Sequence, residues 1–387
     1  MSAAATLEIK NFAHLNDVSI ELGDLTVLVG PQGVGKSLAL QWLKTALDGK
    51  QIVRALKDAG QSADDPDKLI DLIFGVGMGS AWTKRTSISF NGRQISKASI
   101  DKRGNGAEKV FFIPAHRAML ISDGWAAPFQ KLTPETPVVA RLFSQNLFDL
   151  FSPTSAGQHL FPRDRVLKKQ YRDLIDDAVF HGGKISLEED AQHTKRLKLS
   201  HGGAQLPFMT WTAGQREFTP LLLGLYHLLP PRKVIKQPSI DWVVIEEPEM
   251  GLHPQAVTVV MLLCLDLLWR GYRVVLSTHS PLVLTVMWML GRLRDTSARW
   301  QRVCDAFGLD NSSHGGLKKV AEAALSEENL LRTHLLSFDD RGQVRAKDIS
   351  TLDPGDEDDD VSGWGGLAGF SSRFGETVRR AANEADG

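Results

Sequence analysis

Apolar and polar positions at the two ends of the chain follow patterns that predict strands of one sheet. Residues 7–12 and 18–22 alternate between apolar and polar side chains, as in strands that are buried on one face. Residues 25–29 are apolar almost throughout, which predicts a strand covered on both faces. Similar apolar runs predict buried strands at 109–114, 242–245 and 273–277. These strands alternate with helical spacing, which is typical of an α/β fold.

The middle of the chain has a different pattern. From about residue 117 to residue 200 the spacing is mostly helical, with one hairpin predicted between Lys184 and Leu199. Asn91-Gly92 predicts a second hairpin within residues 88–95, because this pair tolerates the positive φ angles of a type I′ turn. A late strand pair is predicted at 335–338 and 343–346. We therefore expect three segments: 1–116 and 212–387, which build one sheet, and an inserted helical lobe at 117–211.

A phosphate-binding loop is predicted directly after the strand at 25–29. Its sequence fits the pattern G-x-x-x-x-G-K-[ST], in which backbone N–H groups and a helix N-terminus surround phosphate oxygens. The eight residues are Gly30, Pro31, Gln32, Gly33, Val34, Gly35, Lys36 and Ser37. Lys36 would reach the β and γ phosphates, and the Ser37 hydroxyl would hold Mg²⁺. The alternative is a glycine turn that joins a strand to a helix without binding a nucleotide. The buried strand before the loop and the helix after it argue against this alternative.

Two adjacent carboxylates follow the strand at 242–245. Successive side chains on a strand point to opposite faces, so Glu246 and Glu247 cannot share one role. We expect Glu246 to face the metal and Glu247 to polarise the attacking water. His279 ends the next predicted strand, where a neutral imidazole can donate to the γ-phosphate. An exposed acidic loop and a structural histidine are the simpler alternatives for these residues.

A fourth motif lies at the start of a predicted helix, in Thr212, Ala213, Gly214 and Gln215. Thr followed three residues later by Gln is a capping box, and this structural role alone accounts for the pattern. The same geometry leaves N–H groups at a helix start, which can bind the γ-phosphate of ATP held by another protomer. The residues themselves leave both interpretations open.

Composition narrows the class of protein. The 387 residues carry a net charge of −1, which provides no overall field for nucleic acid or an anionic membrane. Cys264 and Cys304 are the two cysteines, too few for a disulfide framework, so a reducing compartment is expected. No secretory signal or bilayer-length apolar run is found in the sequence. A cytoplasmic protein without a membrane partner is the expectation.

Taken together, these motifs resemble those of the ATP-binding-cassette (ABC) superfamily. Trp211–Gln215 is similar to its Leu-Ser-Gly-Gly-Gln signature, and His279 matches its switch histidine. The opening strands and the Glu246-Glu247-Pro248-Glu249 segment are more similar to the non-transporter branch, which includes chromosome-maintenance, DNA-repair and "overcoming lysogenization defect" defence ATPases. The sequence departs from the family pattern at several positions. Gln32 replaces Asn, which is a mild change, Glu246 stands where transporters have Asp although the defence branch often has Glu, and Thr212 and Ala213 replace Ser and Gly.

The resemblance implies a two-lobed ABC-ATPase head, in which a P-loop mixed sheet is flanked by helices. It implies ATP and Mg²⁺ as ligands, with Lys36, Glu247 and His279 catalytic and Thr212–Gln215 acting on the nucleotide of a second copy. The protein would then be a homodimer or a higher oligomer through its ATP interface. The superfamily's Q-loop glutamine has no clear counterpart, and His116 or Arg117 takes its expected place.

Three functional classes follow from this resemblance. The preferred one is an ATPase that dimerises around ATP and switches a separately encoded effector, a nuclease or toxin, in anti-phage defence. The second is a DNA-binding repair or chromosome-maintenance ATPase. Its candidate patches are Arg163, Arg165, Lys168, Lys169 and Arg172, or Lys195, Arg196 and Lys198. The third, the ATPase subunit of a transporter, is disfavoured by the opening strands and the Glu-Glu-Pro-Glu segment.

Overall fold

Most of the chain has a defined structure in the computed structural model. It describes residues 4–62, 64–121, 124–155, 157–163, 166–189, 194–229, 235–309, 315–369, 374 and 376–381. Within these ranges the strands are β1 Ala5–Phe12, β2 Leu15–Leu22, β3 Leu25–Val29, β4 Trp82–Phe90, β5 Arg93–Ile95, β6 Val110–Ile113, β7 Gln158–Phe161, β8 Lys184–Glu189, β9 Lys195–His201, β10 Ala204–Pro207, β11 Trp242–Glu246, β12 Arg273–Thr278, β13 Leu331–Phe338 and β14 Val344–Asp348.

The helices connect these strands and cover the sheet. They are α1 Lys36–Asp58, α2 Pro66–Phe74, α3 Val138–Phe151, α4 Lys169–Ile175, α5 Ala213–Leu228, α6 Pro254–Trp269, α7 Pro281–Asp295, α8 Gln301–Ala306, α9 Gly315–Leu325 and α10 Asp359–Ser362. None of the helices in the described part of the chain is both long and apolar enough to cross a bilayer.

A ten-stranded mixed sheet forms the centre of the fold, in the order β5-β4-β1-β2-β14-β13-β3-β12-β11-β6. From β13 to β6 all neighbours are parallel, so the carboxyl ends of β3, β11 and β12 lie along the same edge. From β5 to β2 the neighbours are antiparallel. The α/β class and the P-loop mixed sheet expected from the sequence are confirmed.

Strands β3, β6 and β11 are covered on both faces, as their apolar runs predict. In β3, Leu25, Val27 and Val29 pack into one hydrophobic cluster and Leu28 into the other. The second cluster joins the sheet to α1 and α2, whereas the first joins it to α5 and α6. Alternate side chains of one strand therefore pack into two cores, and this is why the strand is buried along its whole length.

The inserted segment contains more β-structure than expected. The hairpin predicted between Lys184 and Leu199 is confirmed as β8 and β9, which pair antiparallel. The expectation of helix is wrong at β7. Together, β7 and β10 flank this hairpin and complete a four-stranded sheet. Each of these strands has four residues, which is too short to give a recognisable period. Leu187 and Leu197 of this small sheet pack into the same core as α5 and α6.

Candidate functional site

The phosphate loop connects the buried strand β3 to the first helix. Three of its glycines have positive φ angles, +147° at Gly30, +75° at Gly33 and +90° at Gly35. At Gly30 a side chain is excluded, because a Cβ atom would lie 2.1 Å from the carbonyl oxygen of Leu336. Gly35 precedes the first residue of α1, and no side chain forms a capping hydrogen bond with the helix N-terminus. The first N–H groups of α1 therefore remain available for an anion.

Lys36 is buried at the start of α1 and is held by the loop itself. Its Nζ atom donates to the carbonyl oxygens of Gly30 at 2.8 Å and Pro31 at 3.0 Å. It also lies 3.0 Å from Nε2 of His279. Burial lowers the pKa of Lys36 to about 8, although the carboxylates of Glu247 and Glu249 act in the opposite direction. Slightly above physiological pH, the Lys36 amine is therefore neutral in a substantial fraction of the molecules.

Glu246 is buried at the carboxyl end of β11, beside the phosphate loop. Its Oε2 atom accepts a hydrogen bond of 3.1 Å from the Ala115 N–H. The Ser37 hydroxyl lies beside the Glu246 carboxyl. The Oε1 atom of Glu246 has no close hydrogen bond among the described residues. Burial raises the pKa of Glu246, against the opposing effect of the Ala115 and Ser37 hydrogen bonds. A buried carboxylate with a spare oxygen next to a hydroxyl is a donor set that suits Mg²⁺.

Glu247 follows in an uncommon backbone conformation, with a φ of +42°. Its N–H donates to the carbonyl oxygen of Ser277 at 2.9 Å, which joins it to the end of β12. Its Oε1 atom lies 3.6 Å from Nε2 of His279. The two neighbouring carboxylates thus have different surroundings: Glu246 is buried near Ser37, and Glu247 is partly exposed near His279.

A cavity of about 510 Å³ lies between these groups, a volume within the usual range for a small-molecule site. It is lined by His14, Gln32, Gly33, Val34, Gly35, Lys36, Ser37, Leu38, His116, Glu247, Met250 and His279. Gly30 and Glu246 lie immediately behind this lining. The structure thus brings together the phosphate loop, the acidic pair and the switch histidine.

Three residues of the cavity lining, His14, Leu38 and Met250, are not among the site residues predicted from the sequence. His14 lies in the turn between β1 and β2 and approaches Gly35, where a Cβ atom would be 2.9 Å from its Nε2. Met250 follows the acidic pair. The strands beside His14 were predicted, but their position next to the phosphate loop depends on the pairing of β2 with the distant strand β14. No local signal in the sequence carries that information.

The structure separates the two candidates for the missing Q-loop residue. His116 is exposed and lines the cavity, whereas Arg117 is fully buried behind it. Arg117 donates from Nε to the carbonyl oxygen of Glu217 at 3.0 Å and from Nη1 to that of Glu246 at 3.1 Å. Longer contacts of 3.4 to 3.5 Å reach the carbonyl oxygens of Glu247 and Pro248. Arg117 thus joins the acidic segment to α5.

Glu249 fixes the segment that carries the switch histidine. Its Oε1 atom accepts hydrogen bonds from the His279 N–H at 2.6 Å and from the Thr278 hydroxyl at 2.8 Å. Burial and the neighbouring Lys36 lower the pKa of His279, so the neutral imidazole predominates at neutral pH. The Pro248-Glu249 continuation noted in the sequence therefore has a definite role in orienting His279.

The signature-like segment lies outside this cavity. Thr212 and Gln215 form the predicted capping box: the Gln215 N–H donates to the Thr212 hydroxyl at 3.3 Å, and the Gln215 side chain accepts from the Thr212 N–H at 3.2 Å. Thr212 and Ala213 are exposed. Gly214 abuts Gly251, because a Cβ atom on Gly214 would lie 3.1 Å from the Gly251 carbonyl oxygen. Within one chain, Thr212–Gln215 does not meet the phosphate loop in this cavity.

The basic patches considered for DNA are partly occupied by internal contacts. Lys168 is 2.7 Å from the Asp266 carboxylate, and Lys169 lies 3.9 Å from that of Asp173. Lys195 donates to the carbonyl oxygens of Ser152 and Thr154. Arg165 falls outside the described residues. These contacts leave less charge for a nucleic-acid backbone than the sequence alone indicates.

The chain is similar to a known protein family over part of its length. Residues 122–285, less than half of it, match the family described as "AAA domain, putative AbiEii toxin, Type IV TA system". This part contains the signature-like segment, the acidic pair and the switch histidine, but not the phosphate loop. No curated protein matches the chain.

Among solved structures the chain is similar to heads of SMC proteins, at low identity. An SMC head bound to the C-winged helix domain of ScpA has 12% identity and a TM-score of 0.43, over 89% of this chain and 97% of that one. The SMC head domain from Thermotoga maritima has 13% identity and a TM-score of 0.38, over 89% and 98%. An Smc head with an extended coiled coil, bound to the C-terminal domain of ScpA derived from Pyrococcus furiosus, has 11% identity and a TM-score of 0.38, over 90% of this chain and 96% of that one.

A strand–glycine loop–helix unit beside an acidic strand end defines the class of P-loop nucleotide-binding proteins. Over residues 122–285, which carry the acidic pair and His279, the chain is similar to this AAA-domain family.

Proposed function

We propose that this protein binds ATP with Mg²⁺, closes as a head-to-tail dimer around two nucleotides, and opens after hydrolysis. One observation carries the proposal. The groups that we assign to binding and cleavage of a triphosphate converge on one cavity, while the exposed Thr212 and Ala213 lie outside it. The capping box uses the Gln215 N–H, and the first N–H groups of α5, at Ala213 and Gly214, are suited to the nucleotide of a second copy.

Within one protomer, each polar group has a distinct task. Lys36 exchanges its contacts with the Gly30 and Pro31 carbonyl oxygens for contacts with the phosphates. Ser37 and Glu246 would hold Mg²⁺, which would neutralise phosphate charge when bound. Glu247 accepts the proton of the attacking water, and the neutral His279 donates to the γ-phosphate. The partner's signature segment completes the site, with Gly251 near the shared surface.

The consequence of closure is a switch acting on another protein. The description of the matching family names a putative toxin of a type IV toxin–antitoxin system, and we take this as support for a role in defence. We propose a separately encoded effector, a nuclease or toxin, whose activity depends on whether the heads are closed, in the cytoplasm. DNA binding in repair or chromosome maintenance is the competing function.

The substitution Glu247→Gln tests the nucleotide cycle. ATP binding is retained. Because the amide cannot take a proton from water, turnover falls by at least about 100-fold, and the closed dimer accumulates in the presence of ATP. Light scattering after size-exclusion chromatography, with and without ATP–Mg²⁺, measures the assembly. Lys36→Ala is the matched control, which loses nucleotide affinity and stays open. Normal turnover by Glu247→Gln, or a monomer with bound ATP, would refute the proposal.

A further inference from the structure

A second cavity, of about 730 Å³, lies at the opposite edge of the parallel sheet from the phosphate loop. Its walls include the residues at the starts of β6 and β11, Lys109 and Trp242, whereas the phosphate loop follows the end of β3. Since these strands are parallel members of one sheet, their starts and ends lie at opposite edges. This cavity is therefore separate from the nucleotide site.

The cavity lining is strongly cationic in a protein whose net charge is −1. Four basic residues face one carboxylate. These residues are Arg93, Lys102, Arg103, Lys109 and Asp241. The single carboxylate is already shared, at 3.2 Å from Lys109 and 3.0 Å from Lys236. An excess of positive charge therefore remains in the cavity.

Two of the basic side chains have no internal use. Arg93 and Lys102 are exposed, and among the described residues neither side chain has a hydrogen bond or an ion pair. Arg103 donates to the carbonyl oxygen of Gln94, which directs one guanidinium into the same region. Unpaired cations at a concave surface create a positive potential that attracts anions.

The wall that carries these cations is firmly built. Gly104 has a φ of +77°, and a Cβ atom there would lie 2.3 Å from the Leu47 carbonyl oxygen, so the loop packs directly on α1. The Arg103 carbonyl oxygen accepts from the Lys50 N–H at 2.8 Å. On the other side, the carboxylate of Asp48 accepts from the N–H groups of Lys109 and Val110, each at 2.9 Å. The cavity is thus anchored to the same helix that begins at Lys36.

We propose that this cavity binds a phosphate-bearing ligand. Its volume lies within the range of small-molecule sites, and Arg and Lys are the side chains that best match phosphate oxygens. Asn91 and Asn105 add polar side chains at the rim, and Phe90 adds apolar surface for the rest of the ligand. The phosphates can belong to a free nucleotide-sized molecule or to a short stretch of nucleic-acid backbone. The site is independent of the ATP cycle proposed above.

Charge reversal within the cavity tests the proposal. The variant Arg93→Glu/Lys102→Glu changes two exposed side chains that hold no internal contact. Lys84→Glu/Arg85→Glu is the matched control, since it makes the same charge change at two exposed positions of β4 outside the cavity. Thermal melting establishes that both variants fold like the wild type. The probes are a short fluorescent single-stranded DNA and inorganic tripolyphosphate, used with the phosphate loop saturated by a non-hydrolysable ATP analogue and Mg²⁺.

We expect both phosphate probes to bind the wild type, and the cavity variant to bind at least about tenfold more weakly, while the control changes by less than about twofold. Displacement of the DNA by tripolyphosphate identifies a site for a small phosphorylated ligand. DNA binding that is weakened in the cavity variant, without displacement by tripolyphosphate, identifies a path for nucleic-acid backbone. The proposal is overturned if neither probe binds, or if the two variants lose affinity equally.

Discussion

Arg117 offers the most direct test of how the site is held together. It is fully buried, it does not line the nucleotide cavity, and its guanidinium donates to carbonyl oxygens of α5 and of the acidic segment. We consider Arg117→Met, which keeps the length and apolar stem of the side chain but removes every donor. The expectation is a loss of stability together with a loss of turnover.

The size of the stability loss follows from the contacts. Two bonds, at 3.0 Å to Glu217 and 3.1 Å to Glu246, have good length, whereas those of 3.4 to 3.5 Å are weak. Bonds from a charged donor contribute about 1.5–3 kcal/mol each, so the two together contribute about 3–6 kcal/mol. Releasing a guanidinium from a buried site offsets part of this, because burial lowers the pKa of Arg117. A net cost of about 3–5 kcal/mol is expected, as for other buried ionic groups that lose one partner.

Urea unfolding followed by tryptophan fluorescence measures this cost. Arg141→Met is the control: Arg141 is also fully buried, but within the described part of the chain its guanidinium has one hydrogen bond, to Gln61 at 2.9 Å, and it stacks on Phe129. It should cost less and leave ATPase activity unchanged. For Arg117→Met, kcat should fall at least about tenfold, equivalent to about 1.4 kcal/mol in the barrier, with little change in ATP affinity. A stability loss below about 1 kcal/mol, or equal ATPase losses in both variants, would refute this reasoning.

Two further predictions concern the nucleotide site. Mixing Lys36→Ala chains with Gly214→Glu chains should restore ATPase activity, because one of the two sites in a mixed dimer then has an intact phosphate loop and an intact signature; mixed dimers without activity would exclude shared sites. ATP affinity should fall as pH rises through about 8, since Lys36 is protonated below its lowered pKa and neutral above it. From pH 7 to pH 9 the dissociation constant should rise about tenfold in a fluorescent-nucleotide titration, and a flat profile would contradict this assignment.

Residues whose environment is set by local pattern could be predicted from the sequence. The apolar run at β3 followed by Gly30–Ser37 specifies a buried strand, a turn that requires glycines and a helix start, and all three are found. Asn91-Gly92 likewise specifies its turn, with φ of +51° and +71°. In each case a few neighbouring residues contain the whole physical reason.

Features that depend on distant pairing could not be predicted. His14 reaches the phosphate loop only because β2 pairs with β14, more than three hundred residues further along the chain. His116 and Arg117 are adjacent and polar, and only the packed structure shows that one faces the cavity and the other is buried. The cationic cavity combines four separate segments, so no single run of sequence reveals it.

The left-handed backbone at Glu247 has an evolutionary consequence. A φ of +42° is unfavourable for a glutamate, whereas glycine or asparagine adopts it more readily. Such backbone conformations cost about 1–3 kcal/mol. Mutations that stabilise the protein are therefore expected at this position, and under the proposed mechanism such variants would keep the fold but lose ATP hydrolysis. Retention of an acid at such a spot needs continual selection for turnover.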